Sequence, residues 1–356
     1  MAATTTDSLL DATDVSKTYG VVAALRSASL AVRAGEVHAL MGANGAGKST
    51  FVKILTGAVH PDSGRIAVRG QVRTIHSPAE ARRGGIVSVY QEPAVIGDLS
   101  IRSNLRLTET PLEPFRHWVA QLGIERLDLA RMARRLPLAT LRIIDLARAL
   151  AIDPDVLMLD EMTAALPANL SERVLEVIRA RRGGAGSVVF ISHRMIEIAA
   201  VCDRATVLRE GETVGVVDVT GGAEDRIVEL MLGENASELP AIAAKTRAAR
   251  TVDADATPRL TARNLTKGTK LNGVSFELHR GEVLGVVALE SQGQDELFDI
   301  LAGSVRPDGG ELLVDGSPVS FAHPADAIRA GVVYVPADRA EALLMQRSVR
   351  ENIALP

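Results

Sequence analysis

Residues 42–50 read G-A-N-G-A-G-K-S-T, and the rest of the chain is organised around this stretch. Gly42, Gly47, Lys48 and Ser49 fill every fixed position of the phosphate-binding loop G-x-x-x-x-G-K-[ST]. Each residue type has a physical purpose there. Glycines let successive backbone N–H groups approach the β- and γ-phosphates with no side chain in the way. Lys48 adds a point charge for the terminal phosphates, and the Ser49 hydroxyl is placed to ligate Mg²⁺. The whole run of Gly42, Ala43, Asn44, Gly45, Ala46, Gly47, Lys48, Ser49 and Thr50 is thus the candidate cradle of a nucleoside triphosphate. Its flanks agree. The apolar run 37–41 predicts a strand entering the loop, and residues 51–55 predict a helix leaving it with its dipole facing the anion.

Composition sets the outer bounds. A chain of 356 residues predicts about two domains, and 47% hydrophobic with 24% charged residues is ordinary for a globular protein. A formal charge of −4 leaves no electrostatic footprint for nucleic acid, although arginine is dense at 131–135. The single cysteine, Cys202, rules out an internal disulfide, which points to a reducing cytosol and to a small buried hydrophobe. No apolar run approaches the length of a membrane span. The start, M-A-A-T-T-T-D-S, lacks the parts of a signal peptide, so residues 1–8 are expected to be a flexible tail.

Along the chain, residues 10–15 and 29–32 read as short strands, with Tyr19 in a turn-rich stretch between them. Residues 65–69 and 85–90 read as further strands, the second ending at Gln91 and Glu92. From about 100 to 151 the pattern turns helical, with Trp118, Val119, Leu122, Leu127 and Leu129 among its apolar positions. Residues 156–159 form an apolar strand ending in Asp160 and Glu161; residues 170–182 form an amphipathic helix. Residues 187–191 are the next strand, followed by Ser192, His193 and another helix. Strands alternating with helices predict an α/β fold with a mostly parallel sheet covered on both faces.

Residues 233–258 are Ala-rich without periodicity and read as a linker. Beyond it the sequence repeats. G-E-V at Gly35 returns at Gly281, L-T-G-A-V-H-P-D-S-G at Leu55 returns as L-A-G-S-V-R-P-D-G-G at Leu301, and G-I-V-S-V at Gly85 returns as G-V-V-Y-V at Gly331. All three pairs share an offset of 246, which predicts a duplicated domain.

Four further features belong with the phosphate loop. Asp160 ends an apolar strand, where a carboxylate reaches Mg²⁺, and Glu161 beside it is positioned to polarise an attacking water; acids at a strand end also cap the next helix. Gln91, at another strand end, is a candidate to sense Mg²⁺ and that water. His193 could hydrogen-bond the γ-phosphate or be a satisfied structural histidine. Tyr19 could stack on adenine or shield the sheet edge.

Together and in this order, these features resemble the ATP-binding-cassette ATPases, across essentially the whole chain. The stretches G-A-N-G-A-G-K-S-T, V-Y-Q-E, M-L-D-E-M-T-A-A-L and I-S-H-R-M-I-E-I-A-A-V-C-D-R-A-T-V-L-R-E-G look most like the tandem-cassette ATPases of ribose-type sugar importers. The resemblance implies a P-loop NTPase fold duplicated in tandem. A first cassette would span 9–232, with a helical subdomain at about 95–151, and a second, incomplete one would span 259–356. It implies ATP and Mg²⁺ as ligands, the metal near Ser49, Gln91 and Asp160, and catalytic roles for Lys48, Gln91, Glu161 and His193. It further implies a peripheral place on the cytoplasmic face of the membrane, under transmembrane permease subunits fed indirectly by an extracytoplasmic solute-binding protein. Gln91 and its loop would touch the permease, and no nucleic acid would be involved.

Departures from the family pattern matter as much. The segment expected to read like L-S-G-G-Q is L-P-L-A-T-L-R at 136–142. Pro137 replaces the serine that would bind a γ-phosphate, and Leu138 and Ala139 replace the glycines. Met162 stands where the family has proline, and Pro167 where other cassettes carry aspartate. In the second copy, Gly42, Gly45, Lys48, Ser49 and Gln91 map onto Ala288, Ser291, Gln294, Asp295 and Ala337, and Thr269 falls near the adenine-stacking position. The second Asp-Glu pair would fall near 406 and the second histidine near 439, past Pro356, so the expectation is a fragment or a truncated subunit whose missing half another chain could supply. In a family whose cassettes close as a pair, the altered signature and the altered second loop would share one composite site. Two rival readings remain: a catalytically impaired paralogue, and a soluble tandem cassette acting on ribosomes, which would carry intact sites and a charged linker.

Overall fold

The computed structural model describes residues 8–164, 166–184, 186–233, 257–288, 292–336 and 342–354. The expected tail and linker lie outside these residues except at their ends, as do Ser291 and Ala337. The chain divides into two compact units, Met1–Leu239 and Pro240–Pro356.

The first unit carries a ten-stranded sheet in the order β5-β4-β1-β2-β10-β9-β3-β8-β7-β6. Its parallel half is β9 (Arg204–Arg209), β3 (Val37–Met41), β8 (Ser187–Ile191), β7 (Val156–Asp160) and β6 (Ile86–Val89). All five residues of β3, β7 and β8 are buried, as continuous apolar runs covered on both faces must be. Alternate residues face two cores. Leu157, Leu159, Val188 and Phe190 pack with helices α4 (Leu112–Gln121), α5 (Leu138–Leu150) and α6 (Ala168–Arg181). Val156, Met158, Val189 and Ile191 pack with helix α1 (Lys48–Leu55) and the antiparallel strands β1 (Ser8–Tyr19) and β2 (Val22–Arg33). That two-sided alternation is the period of two expected of a strand between layers.

The antiparallel half differs from the sequence expectation. β1 and β2 each run 12 residues and pair as one long hairpin, joined on by β4 (Ser63–Val68) and β5 (Gln71–Val72). Register shifts along β1 break its hydrophobic alternation, which is why only short strands are readable there. β2 meets the rest of the sheet through β10 (Glu212–Asp218) at the single pair Glu212 and Ser27.

The helical pattern across 100–151 also resolves differently. It becomes α3 (Ile101–Leu107), α4 and α5, with a connection between α4 and α5 that is irregular apart from one 3-10 turn at Ala133–Arg135. Gly123, at φ +95°, stops α4, so Leu127 and Leu129 owe their apolar character to burial rather than to a helix. Two shorter helices, α2 (Pro78–Arg83) and α7 (Met195–Val201), and α8 (Ala223–Leu232) complete the unit.

The second unit has a four-stranded sheet, β12-β11-β13-β14, from β11 (Leu260–Lys267), β12 (Leu271–Leu278), β13 (Gly309–Val314) and β14 (Ser317–Val319). Helices α9 (Gln294–Ala302), α10 (Pro324–Arg329) and α11 (Val349–Ala354) accompany it. α9, β13 and α10 begin 246 residues after α1, β4 and α2. Residues 283–287, at the same offset from β3, form no strand, and Val283 and Val287 are 75% and 97% exposed.

Candidate functional site

The parallel register gathers the candidate residues at one edge. Ala39 pairs with Phe190, Asp160 with Ile191 and Val89 with Leu159, so β3, β8, β7 and β6 end side by side. Their carboxyl ends feed directly into residues 42–47, Ser192 and His193, Glu161, and Gln91. That edge is where open α/β sheets place ligands.

The loop after β3 is shaped by close backbone approach. A Cβ on Gly42 would lie 2.5 Å from the Leu208 carbonyl oxygen. One on Gly47, whose φ is +101°, would lie 2.6 Å from both the Ala24 carbonyl oxygen and Leu25 Cδ2. The amide of Gly211 donates to the Ala46 carbonyl at 3.2 Å, and Ala46 donates to Ala43 at 3.1 Å, closing the turn. Ala43, Asn44 and Gly45 are exposed and Ala46 is buried. Lys48 Nζ donates to the carbonyls of Gly42 at 2.7 Å and Ala43 at 3.1 Å. Burial lowers its ammonium pKa, opposed by the charges of Glu161 and Asp160. Ser49 and Thr50 lie in the first turn of α1.

Asp160 is 7% exposed. Burial and the neighbouring Glu161 raise its carboxyl pKa, while Lys48, Lys53 and a hydrogen bond from Ser49 lower it. A carboxylate beside a hydroxyl is an oxygen donor set suited to a divalent cation, while the ammonium is suited to phosphate. Glu161 has a left-handed backbone, φ +48°, and its amide donates to the Ile191 carbonyl at 3.0 Å. Its Oε1 lies 3.8 Å from His193 Nδ1, with His193 63% exposed at the side chain.

Two expected members are not drawn in. Gln91 is exposed, and among the described residues its side chain makes no hydrogen bond to Ser49, Asp160 or Glu161. Its loop is instead anchored on both sides, by Tyr90 Oη to Thr56 Oγ1 at 2.8 Å and by the Ala94 amide to Asp145 at 3.1 Å. Tyr19 sits at the hairpin tip, 48% exposed, with Lys17 Nζ 5.7 Å from its ring centre. Pro137 is the N-cap of α5 and supplies no side-chain cap, and Leu138 is 52% exposed.

Sequence reasoning missed two residues. Glu197, 4% exposed, accepts from Thr163 at 2.7 Å, Ser192 at 2.8 Å and Arg194 at 2.6 Å, tying the loops after β7 and β8 together. Arg142, 7% exposed, reaches from α5 to the backbone beyond β7. Arg142 closes the 136–142 segment and Glu197 falls in the stretch that starts at Ile191, but neither position marks the bonds it makes. The signal was a charged residue at a buried position of a helix.

At the equivalent helix start in the second unit, α9 opens with Gln294 followed by Asp295 and Glu296, two carboxylates where a phosphate would need donors. Ala288 is exposed.

Comparison with known proteins agrees with this geometry. The family model described as ABC transporter matches residues 25–164. A ribose import ATP-binding protein RbsA 2 from Streptomyces avermitilis is 38% identical over 96% of this chain and 68% of its own length. An RbsA 1 from Streptomyces coelicolor is 39% identical over the same shares, and one from Mesorhizobium japonicum is 37% identical. Among solved structures, a nucleotide-free ATP-binding cassette from an ABC transporter superposes with a TM-score of 0.56 at 23% identity, over 64% of this chain and all of that one. A cassette in a post-hydrolysis state bound to ADP and Pi gives 0.54 at 21% identity, over 60% and 99%. The P-loop cassette fold, the strand-edge cluster and the relatives converge, and the chain belongs to the ATP-binding-cassette family of transporter ATPases.

Proposed function

We propose that this chain binds and hydrolyses ATP to energise import of a sugar or related small solute. The observation that carries the reading is the convergence of Lys48, Ser49, Asp160, Glu161 and His193 at the carboxyl edge of the parallel strands. The relatives named for ribose import support the solute class. The loop amides and Lys48 hold the phosphates. Ser49 and Asp160, with Gln91 moving in, would hold Mg²⁺, which supplies charge neutralisation on the phosphate oxygens. Glu161 accepts a proton as water oxygen bonds to the γ-phosphorus; the bond to the β–γ bridging oxygen breaks and ADP leaves with that electron pair. His193 stands beside Glu161, on the side where the γ-phosphate would lie.

In this reading residues 9–232 are a first cassette, and 259–356 begin a second one whose Gln294 and Asp295 no longer hold nucleotide. Permease subunits dock on the loop around Gln91 at the cytoplasmic face, and the solute-binding protein acts through them. No helix among the described residues is long and apolar enough to cross a membrane, which suits a peripheral subunit. A second reading, a catalytically impaired subunit, is favoured by Pro137 at the start of α5. The deciding experiment is ATP turnover by the purified chain against Glu161→Gln. A fall of about 10²-fold or more with nucleotide binding kept supports hydrolysis. Equal rates favour the impaired subunit.

A further inference from the structure

We propose that Arg142 is the positioning residue that holds Glu161 in its working conformation, so that helix α5 directly sets the hydrolytic carboxylate. The proposal rests on the ATPase reading above and adds to it a residue outside the phosphate-binding and metal-binding sets. Eight described residues other than glycine have positive φ, and Glu161, directly after β7, is one of them. A side chain on a backbone in this conformation is strained, and the conformation persists only where the surroundings impose it. The surroundings here are specific. Glu161's amide is held by Ile191 of β8, and its carbonyl oxygen accepts from Arg142 Nη1 at 3.2 Å. The same nitrogen donates to the Met162 carbonyl at 3.3 Å. One guanidinium thus clamps two successive carbonyls of the turn that aims the Glu161 side chain.

Arg142 is a costly way to make that clamp. It is 7% exposed, burial lowers its guanidinium pKa, and Glu161 is the charge that opposes the shift. Its Nε is buried without a hydrogen-bond partner. A buried cation with an unsatisfied donor is not explained by packing, since an apolar residue of similar volume would fill the space at lower cost. It is explained if a charged nitrogen with two donors is needed at the turn, since Nη1 alone makes both bonds. A lysine ammonium carries the donors on a shorter, unbranched stem and so restores the clamp only in part. Three residues along α5, Asp145 accepts the Ala94 amide from the loop that carries Gln91. The helix is therefore tied at one point to the Gln91 loop and at another to the Glu161 turn. A shift of α5 changes the aim of Glu161 without touching nucleotide.

The test pairs amide hydrogen exchange with turnover in wild type, Arg142→Met, Arg142→Lys and Glu161→Gln. In Arg142→Met, exchange at residues 161–164 should rise at least ten-fold, with α1 and β3 unchanged. Turnover should fall about ten-fold or more, with KM for ATP within about two-fold, because the clamp acts on the hydrolytic step and not on binding. Arg142→Lys should recover part of both. Exchange at 161–164 equal to wild type, or a rise spread over the whole first unit, overturns the proposal, the second because it marks general loosening. If wild type turns over no faster than Glu161→Gln, the ATPase reading falls, and the exchange measurement alone decides whether Arg142 holds the turn.

Discussion

Substituting Glu36 tests the footing of the strand that carries the phosphate loop. Glu36 precedes β3 and is 6% exposed. Its carboxylate accepts from Arg204 at 2.6 Å and 2.9 Å, from the Arg33 amide at 2.6 Å and from His38 Nδ1 at 2.9 Å. Because a carboxylate only accepts, Nδ1 carries a proton, and Nε2 is hydrogen-bonded to the Thr206 hydroxyl at 2.7 Å. Burial alone would raise the Glu36 carboxyl, but the bonds from His38, Arg204 and Arg33 outweigh it and bring it from 4.5 to about 2. The folded value lies below the unfolded one, so the stabilisation is complete above pH 4.5 and is lost as pH falls towards 2. At ~1.36 kcal/mol per pH unit the difference is worth on the order of 3 kcal/mol at pH 7 and less than half of that at pH 3. In Glu36→Gln this contribution is absent at every pH. Trp118, the single tryptophan, lies in α4 of the first unit, so its emission in a urea titration follows that unit. The stability gap between wild type and variant should be about 3 kcal/mol at neutral pH and close by more than half between pH 5 and pH 3. A gap that stays constant across that range would refute the assignment of the stabilisation to the Glu36 ion pair.

Three other outcomes follow from the same structure. Lys48→Ala should cost roughly 2–3 kcal/mol of nucleotide affinity, read by titrating a fluorescent ATP analogue; equal affinities would sink the role of the lysine. Gly47→Ala should destabilise the first unit by about 1–3 kcal/mol, because φ +101° and a carbonyl oxygen 2.6 Å from the new methyl leave it no relaxed position; an unchanged urea midpoint of Trp118 emission would contradict this. Glu197→Gln puts an amide where three donors converge, so about 1–3 kcal/mol of stability should go, and a neutral result would mean the loops after β7 and β8 are held some other way.

Much of the cassette was legible because its signals are local. Residues 156–159 and 187–191 read as strands since a strand buried on both faces has to be an unbroken apolar run. The phosphate loop was legible because backbone geometry forces its glycines. The long β1–β2 hairpin was not, because bulges shift which residues face inward, and the stretch after Gly123 was not, because buried apolar residues in an irregular connection mimic a helix. Within the site, Asp160 and Glu161 were readable at a strand end. Arg142 and Glu197 were not, since Arg142 acts on carbonyls 19 and 20 residues away and the link that gives Glu197 its bridging place is to a hydroxyl 34 residues away. Gln91's exposure is a matter of side-chain direction, which spacing does not carry.

The bond from Lys48 to the carbonyls of Gly42 and Ala43 has a thermodynamic corollary. On nucleotide binding the ammonium would reach phosphate by exchanging hydrogen-bond acceptors that it already has. Its heat should be small for so strong an electrostatic contact. Among the loop amides, that of Ala46 is committed in the same way, to the Ala43 carbonyl.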